Sequence, residues 1–254
     1  MMAPPFVGGF TTSYLDRLCA MRSPPFDILF ESDWCLVVNK PYGLLTQGPP
    51  LVPSLDKEVR VFLKRREGKV GQVYLGVPHR LDRPVSGAIV FGKHRRATRR
   101  LTECFQGRLI RKVYWACTEG EVTPPEGVWR DFMRKIPDQP QAEIVPPDHP
   151  DAKSAVLRYR TLGRTRYGSW LEIELETGRM HQIRLQAASR GRPIVGDRQY
   201  GATTTFGEKQ EDWRLEPIAL HARLLAFPEP QTMEPLEIVA PLPEVWQTLL
   251  PGID

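Results

Sequence analysis

The chain predicts a single domain that mixes α and β elements, and three observations carry that expectation. Apolar runs of strand length recur along it, among them 26–30, 35–39, 155–162 and 169–175. Two stretches instead repeat their apolar residues at helical period: Leu55, Val59 and Leu63, then Ala97, Leu101, Cys104 and Phe105. The 254 residues, 41% hydrophobic and 26% charged, hold no internal repeat or low-complexity block and are enough to bury one sizeable core.

Taken in order, residues 1–25 are punctuated by Pro and Gly and read as a mobile arm, with a short helix possible only over 14–21. Strands 26–30 and 35–39 flank Glu31-Ser32-Asp33, and Leu36-Val37-Val38 reads as a buried run leading to the turn Asn39-Lys40-Pro41-Tyr42-Gly43. Ser54 is the expected cap of a helix that ends in Lys64-Arg65-Arg66 before Gly68, where basic residues suit the helix dipole. A strand is expected at 88–91, then a helix ended by Gly107 that packs one side and shows arginines on the other. In strand 109–117, Lys112 and Tyr114 fall on one face with Ile110 and Ala116. Residues 121–154 carry seven prolines and read as irregular turns with short strands and no core of their own. Strands 155–162 and 169–175, joined around Tyr167-Gly168, are expected to pair antiparallel, and an edge strand at 236–239 precedes a C-terminal helix at 244–250.

No apolar run approaches the roughly 18 residues that cross a bilayer, so no membrane partner is expected. Cys19, Cys35, Cys104 and Cys117 form no Cys-x-x-Cys pair, and the five histidines show no ligand spacing, so reduced core thiols and no metal site are expected. The N-terminus lacks a secretory signal, and the expected location is cytoplasmic; the arm's single acid, Asp16, beside Arg17 and Arg22 leaves an organellar transit segment as the alternative. Between Lys93 and Lys112 lie eight basic residues and one acid, a net +7 in a chain of net +5, so the remainder carries −2. Charge concentrated in this way marks a polyanion partner, and Arg95, Arg96, Arg99 and Arg100 are the candidate contacts to its backbone.

The stretch His79-Arg80-Leu81-Asp82-Arg83-Pro84-Val85-Ser86-Gly87, followed by the apolar Ala88-Ile89-Val90-Phe91, reads as an acid displayed in a turn at a strand edge. It resembles the signature of the RluA-type RNA pseudouridine synthases, His-Arg-Leu-Asp, two variable residues, then Thr-Ser-Gly. Six of the seven specified positions agree, with Val85 where Thr is usual. A second stretch, Thr177-Gly178-Arg179-Met180-His181-Gln182-Ile183-Arg184-Leu185-Gln186, continued by Gly191-Arg192-Pro193-Ile194-Val195-Gly196-Asp197 and Tyr200-Gly201, is similar to the family's second motif. Met180, Gln186 and Arg192 stand there for the usual Thr, His and His. Asn39-Lys40-Pro41-Tyr42-Gly43, the Lys112-x-Tyr114 strand and Leu220-His221-Ala222 resemble its remaining landmarks.

The resemblance implies an α+β fold: a long mixed, mainly antiparallel β-sheet flanked by helices, with an active-site cleft across it. It covers about 26–240, within a catalytic domain spanning 26–254 and without a separate N-terminal RNA-binding domain. It implies an isomerase that turns uridine in ribosomal or transfer RNA into pseudouridine; that reaction moves no electrons, so no cofactor is expected, and a monomer is expected. Asp82 would be the essential carboxylate. Tyr114 and Leu220 would border the base, Arg184 would pair with the carboxylate and favour its charged form, and Arg80 would enter the space the base vacates. His181 and Gln182 are expected to hold the loop. A carboxylate can serve by attacking the ring or the sugar, or by helping to remove a ribose proton to give a glycal, and Tyr114, water or Asp82 could take the C5 proton. A catalytically silent RNA-binding protein of the same fold is the alternative.

Overall fold

A computed structural model describes residues 24–253; apart from Pro24 and Pro25, the expected N-terminal arm lies outside the described residues. The strands are β1 (Asp27–Glu31), β2 (Cys35–Lys40), β3 (Ser86–Gly92), β4 (Arg111–Cys117), β5 (Glu126–Lys135), β6 (Ala142–Ile144), β7 (Lys153–Arg164), β8 (Ser169–Leu175), β9 (Leu220–Pro228) and β10 (Pro235–Val239). Three α-helices accompany them: α1 (Leu55–Arg66), α2 (Arg95–Gln106) and α3 (Gln182–Ala188). The strands form one sheet in the order β1-β2-β3-β9-β4-β8-β7-β5-β6, with β10 added to β9. Among the described strands only β3 with β9 pairs parallel, so the fold is α+β with a mixed, mainly antiparallel sheet.

β2 reads as a continuous apolar run because both of its faces are covered. Leu36 and Val38 pack on the side of Leu55, Val59 and Leu63 from α1, while Cys35 and Val37 pack on the side of Leu101 and Cys104 from α2. Full burial of each α1 leucine contributes about 1.5–3 kcal/mol. β3 and β9 meet through Ser86↔His221 and Gly87↔Ala222. Gly87 has φ +118°, and a Cβ there would lie 2.4 Å from the Ala222 carbonyl oxygen, so this close parallel contact requires glycine. The result places the end of the Asp82 turn beside the start of β9.

Four local expectations need correction. Residues 126–135 form a ten-residue strand, β5, that pairs with β7 over 126–133 and with β6 over 133–135 and helps to bury Met133, Ala142 and Ala155 together. Its inward positions interleave Trp129 and Met133 with Gly127 and Asp131, while Val128 and Phe132 lie exposed, which erases the alternation that marks a strand. Ser54 does not cap α1 with its side chain; its hydroxyl donates to Asp56 Oδ1 at 2.6 Å instead. β4 begins only at Arg111, and Ile110 packs in the α2-side core rather than with Ala116. The C-terminal segment is a short 3-10 helix, Glu244–Thr248, and Pro251, which disfavours helical backbone at Leu250, limits its length. The described cysteines, Cys35, Cys104 and Cys117, are buried and free.

Two histidines, His221 buried and His79 half-buried, lock strands near the Asp82 turn. His221 Nε2 lies 3.2 Å from the Ala240 carbonyl, which can only accept, so Nδ1 accepts from the Ser86 hydroxyl at 2.8 Å. His79 Nε2 accepts the Val90 N–H at 3.0 Å, and its ring stacks on Phe105. Burial pushes His79 down to about 3, with Lys112 adding to the effect. Burial also pushes His221 down to about 4 against its bond to Ala240. An unfolded histidine takes up its proton near pH 6.5, so below that pH the unfolded chain binds more protons and stability falls until the folded rings titrate. Each ring is expected to cost up to about 1.4 kcal/mol per pH unit below 6.5. Urea midpoints compared at pH 7 and 5, above the range where ordinary carboxylates titrate, check this; a flat profile would contradict it.

Candidate active site

Asp82 opens a turn closed by the Val85 N–H, which donates to the Asp82 carbonyl at 3.2 Å. The turn is held from several sides. The Thr46 hydroxyl donates to the Leu81 carbonyl at 2.9 Å and accepts the Leu81 N–H at 3.1 Å. The Lys40 ammonium, fully buried, donates to the carbonyls of Pro41, Arg83 and Val85 at 2.9, 3.3 and 2.8 Å. Burial pushes Lys40 down to about 7, opposed by the Asp82 charge. The Gly43 N–H donates to the Arg83 carbonyl at 2.8 Å, and Arg83 Nε donates back to the Gly43 carbonyl at 3.1 Å. Val85 is buried in the core while its N–H closes the turn, so the turn stands without the hydroxyl usual at this position.

Thr46→Val keeps the shape and removes both bonds to Leu81, leaving a buried N–H and carbonyl without their partner. Each such group costs about 1–3 kcal/mol. Thermal unfolding should shift down accordingly, and product formation should fall because the acid is no longer rigidly placed. Unchanged melting and turnover would remove Thr46 from the site's support.

Facing the turn is the start of α3. The Gln182 side chain accepts from the Thr177 hydroxyl at 2.8 Å and the Arg179 N–H at 3.0 Å, and donates to the Val156 carbonyl at 3.1 Å, closing the loop before the helix. His181, at φ +52°, lies with Nδ1 2.8 Å from the Tyr200 hydroxyl and Nε2 3.8 Å from Asp82 Oδ2. Arg184 is buried and forks onto Asp197, with Nε and Nη2 at 2.6 and 2.8 Å; Nη2 also reaches Gln199 Oε1 at 2.7 Å. Only Nη1 remains for Asp82, at 3.3 Å from Oδ2. Burial opposes the Arg184 charge, but the hydrogen bonds and charge of Asp197, with Asp82 adding, hold its pKa above the usual guanidinium value.

Asp82, Arg80, Tyr114, Arg184 and Leu220 all line one cleft of about 980 Å³. The Asp82 side chain is 25% exposed and Arg80 is exposed at the mouth. Tyr114 comes from β4 and Leu220 from the first residue of β9; burial first and the Asp82 charge second push the phenol of Tyr114 up, so it stays protonated at neutral pH. The four helix arginines do not line the cleft. Arg96 and Arg100 lie over the Trp34 ring at 5.3 and 5.0 Å, Arg100 donates to the Pro230 carbonyl, and Arg99 pairs with Glu103. The last turn of α2 borders the cleft instead, through Thr102, Phe105 and Gln106, followed by Arg108. Lys40, Thr46 and Asp197 received no role from the sequence. Lys40 and Asp197 stood inside quoted motifs, whereas nothing around Thr46 marked it. Among the described residues no group of three His, Cys, Asp or Glu is placed to hold a metal ion.

A mixed sheet with a basic-mouthed cleft, an acid held in a rigid turn and an arginine behind it defines an enzyme of the pseudouridine synthase class. The chain belongs to the RNA pseudouridylate synthase family, whose model matches residues 34–189, and within it to the RluA type. It is 34% identical over 242 residues to the tRNA pseudouridine synthase C of Salmonella typhi, covering 88% of each chain. It is 33% identical over 226 residues to the ribosomal large subunit pseudouridine synthase D of Xylella fastidiosa, covering 87% of this chain and 67% of that one. The structure of human RNA pseudouridylate synthase domain containing 4 superposes with a TM-score of 0.72 at 26% identity, covering 87% of this chain and 90% of the other. The protein is thus an isomerase that converts uridine in RNA to pseudouridine.

Proposed function

We propose that Asp82 is the catalytic carboxylate, acting in the cytoplasm, as a monomer and without metal or cofactor, on a uridine of transfer or ribosomal RNA. The single observation that carries this is the convergence of Asp82, Tyr114, Arg184 and Leu220, from four separate parts of the chain, on one open cleft. Both target classes occur among the names of the relatives. The reaction breaks the C1′–N1 bond, turns the uracil, joins C1′ to C5, loses the C5 proton to solvent and returns a proton to N1. No electrons enter or leave. Each available route needs a charged carboxylate beside the sugar and base, and the Arg184 N–H supports that charge at Asp82. Tyr114 and Leu220 flank the uracil, with Tyr114 acting as a phenol.

A uracil stacked in RNA is beyond reach of the turn, so the nucleotide must leave its helix at a cost of a few kcal/mol. Arg80, exposed at the mouth, occupies the vacated space, and the arginines of α2 contact the backbone further out. Incubating C5-tritiated tRNA and rRNA with the enzyme and counting tritium released to water tests the reading; absence of release from both pools would overturn it. Replacing Arg95, Arg96, Arg99 and Arg100 with Gln should flatten the salt dependence of RNA binding, because each lost phosphate contact removes about 0.7–0.9 from the log–log slope. An unchanged slope would take α2 off the RNA path.

A further inference from the structure

We propose that the Lys112 ammonium is the seat for a backbone phosphate flanking the extruded uridine. This rests on the reading that Asp82 acts on an extruded nucleotide in this cleft. Lys112 lies two residues before Tyr114 on β4, hence on the same side and about 6.5–7 Å along the strand. It lines the cleft, half-buried, opposite the loop of the second motif: a Cβ on Gly178 would sit 3.5 Å from its Nζ.

The carboxylates that line the cleft already have cations of their own. Asp82 has Arg184 at 3.3 Å, Glu174 has Arg111 at 3.1 Å, and Glu176 has Arg158 at 2.8 Å. Among the described residues the Lys112 ammonium has no hydrogen bond or ion pair, and burial pushes its pKa down. An ammonium kept partly out of water without an acceptor is costly. An anion entering the cleft removes that cost, and RNA carries one on every nucleotide. The other basic residues of the rim, Arg80, Arg108, Arg111 and Arg179, are exposed, where salt screens them; Lys112 is the half-buried one, beside the tyrosine that flanks the base. A charge-assisted N–H···O⁻ bond of about 2.7–2.9 Å to a phosphate oxygen would fix the sugar while the uracil turns.

The test uses reductive methylation of the whole protein, mapped by mass spectrometry, with and without a mixture of tRNA and fragmented rRNA. Lys112 should be methylated in the free protein and protected at least about tenfold by the RNA. Equal labelling in both would overturn the proposal, and this readout needs no variant that might misfold. In parallel, Lys112→Met should lower the log–log salt slope of RNA binding by about 0.7–0.9, and Lys112→Arg should restore it. A wild-type slope in a folded Lys112→Met protein would also overturn it. Tritium release by the wild-type enzyme is scored separately. Release without protection of Lys112 rejects the phosphate seat alone, whereas protection without release rejects the catalytic reading and leaves the contact standing.

Discussion

Asp82→Asn should abolish tritium release from C5-labelled RNA, by at least about 10⁴-fold, the scale on which removal of an essential catalytic group is felt. The amide has the size of the acid and can still sit beside Arg184 Nη1, so shape and RNA affinity should persist while the negative charge disappears. Stability should change little. Asp82 is partly exposed, Arg184 keeps its fork on Asp197, and the buried Lys40 ammonium, which loses the nearby acid, keeps its three carbonyl acceptors. The measurements are turnover, RNA binding and melting temperature on one preparation. Retained turnover in a folded Asp82→Asn protein would remove the acid from the chemistry.

Asp197→Asn should strike stability hardest. Asp197 and Arg184 are 1% and 3% exposed and joined by two short bonds, with Gln199 taking a third N–H. Breaking such a pair from one side leaves the buried guanidinium with only the partly exposed Asp82 as its counter-charge, at a cost of about 3–5 kcal/mol. In a domain of this size that lowers the melting temperature by roughly 6–20 °C. The released guanidinium should also swing toward Asp82, altering the placement of the acid, so turnover should fall even below the melting transition. A melting temperature within about 2 °C of wild type would show that the pair is not the support described above.

Much of the site was legible because its parts are contiguous in sequence. The Asp82 turn, the Tyr114 strand and the Arg184 helix each lie within a short motif, and the geometry brings them to one cleft. What was not legible is what reaches across the chain. Thr46 meets Leu81 and Lys40 meets Val85 only after the sheet has formed, and neither bond leaves a local pattern. Asp197 sits in a quoted motif, yet its fork on Arg184 depends on the loop after α3. The run of arginines on α2 revealed charge but not direction: Ala97, Leu101 and Cys104 fix the packed face, and Trp34 then gathers Arg96 and Arg100 away from the cleft. β5 escaped notice because Gly127 and Asp131 occupy half of its inward face, where Asp131 binds Gln186 at 2.6 Å and Arg190 at 2.9 Å. Gln186 stands at one of the positions where the chain departs from the family's usual histidine.

The most direct test is a crystal structure of the Asp82→Asn protein bound to an RNA that the wild-type enzyme modifies. The target uracil should lie outside its helix, between Tyr114 and Leu220, with the residue 82 side chain within about 3.5 Å of the sugar or base, the distance at which reacting groups are poised. A target uridine still stacked in its RNA, or seated away from residue 82, would contradict the account.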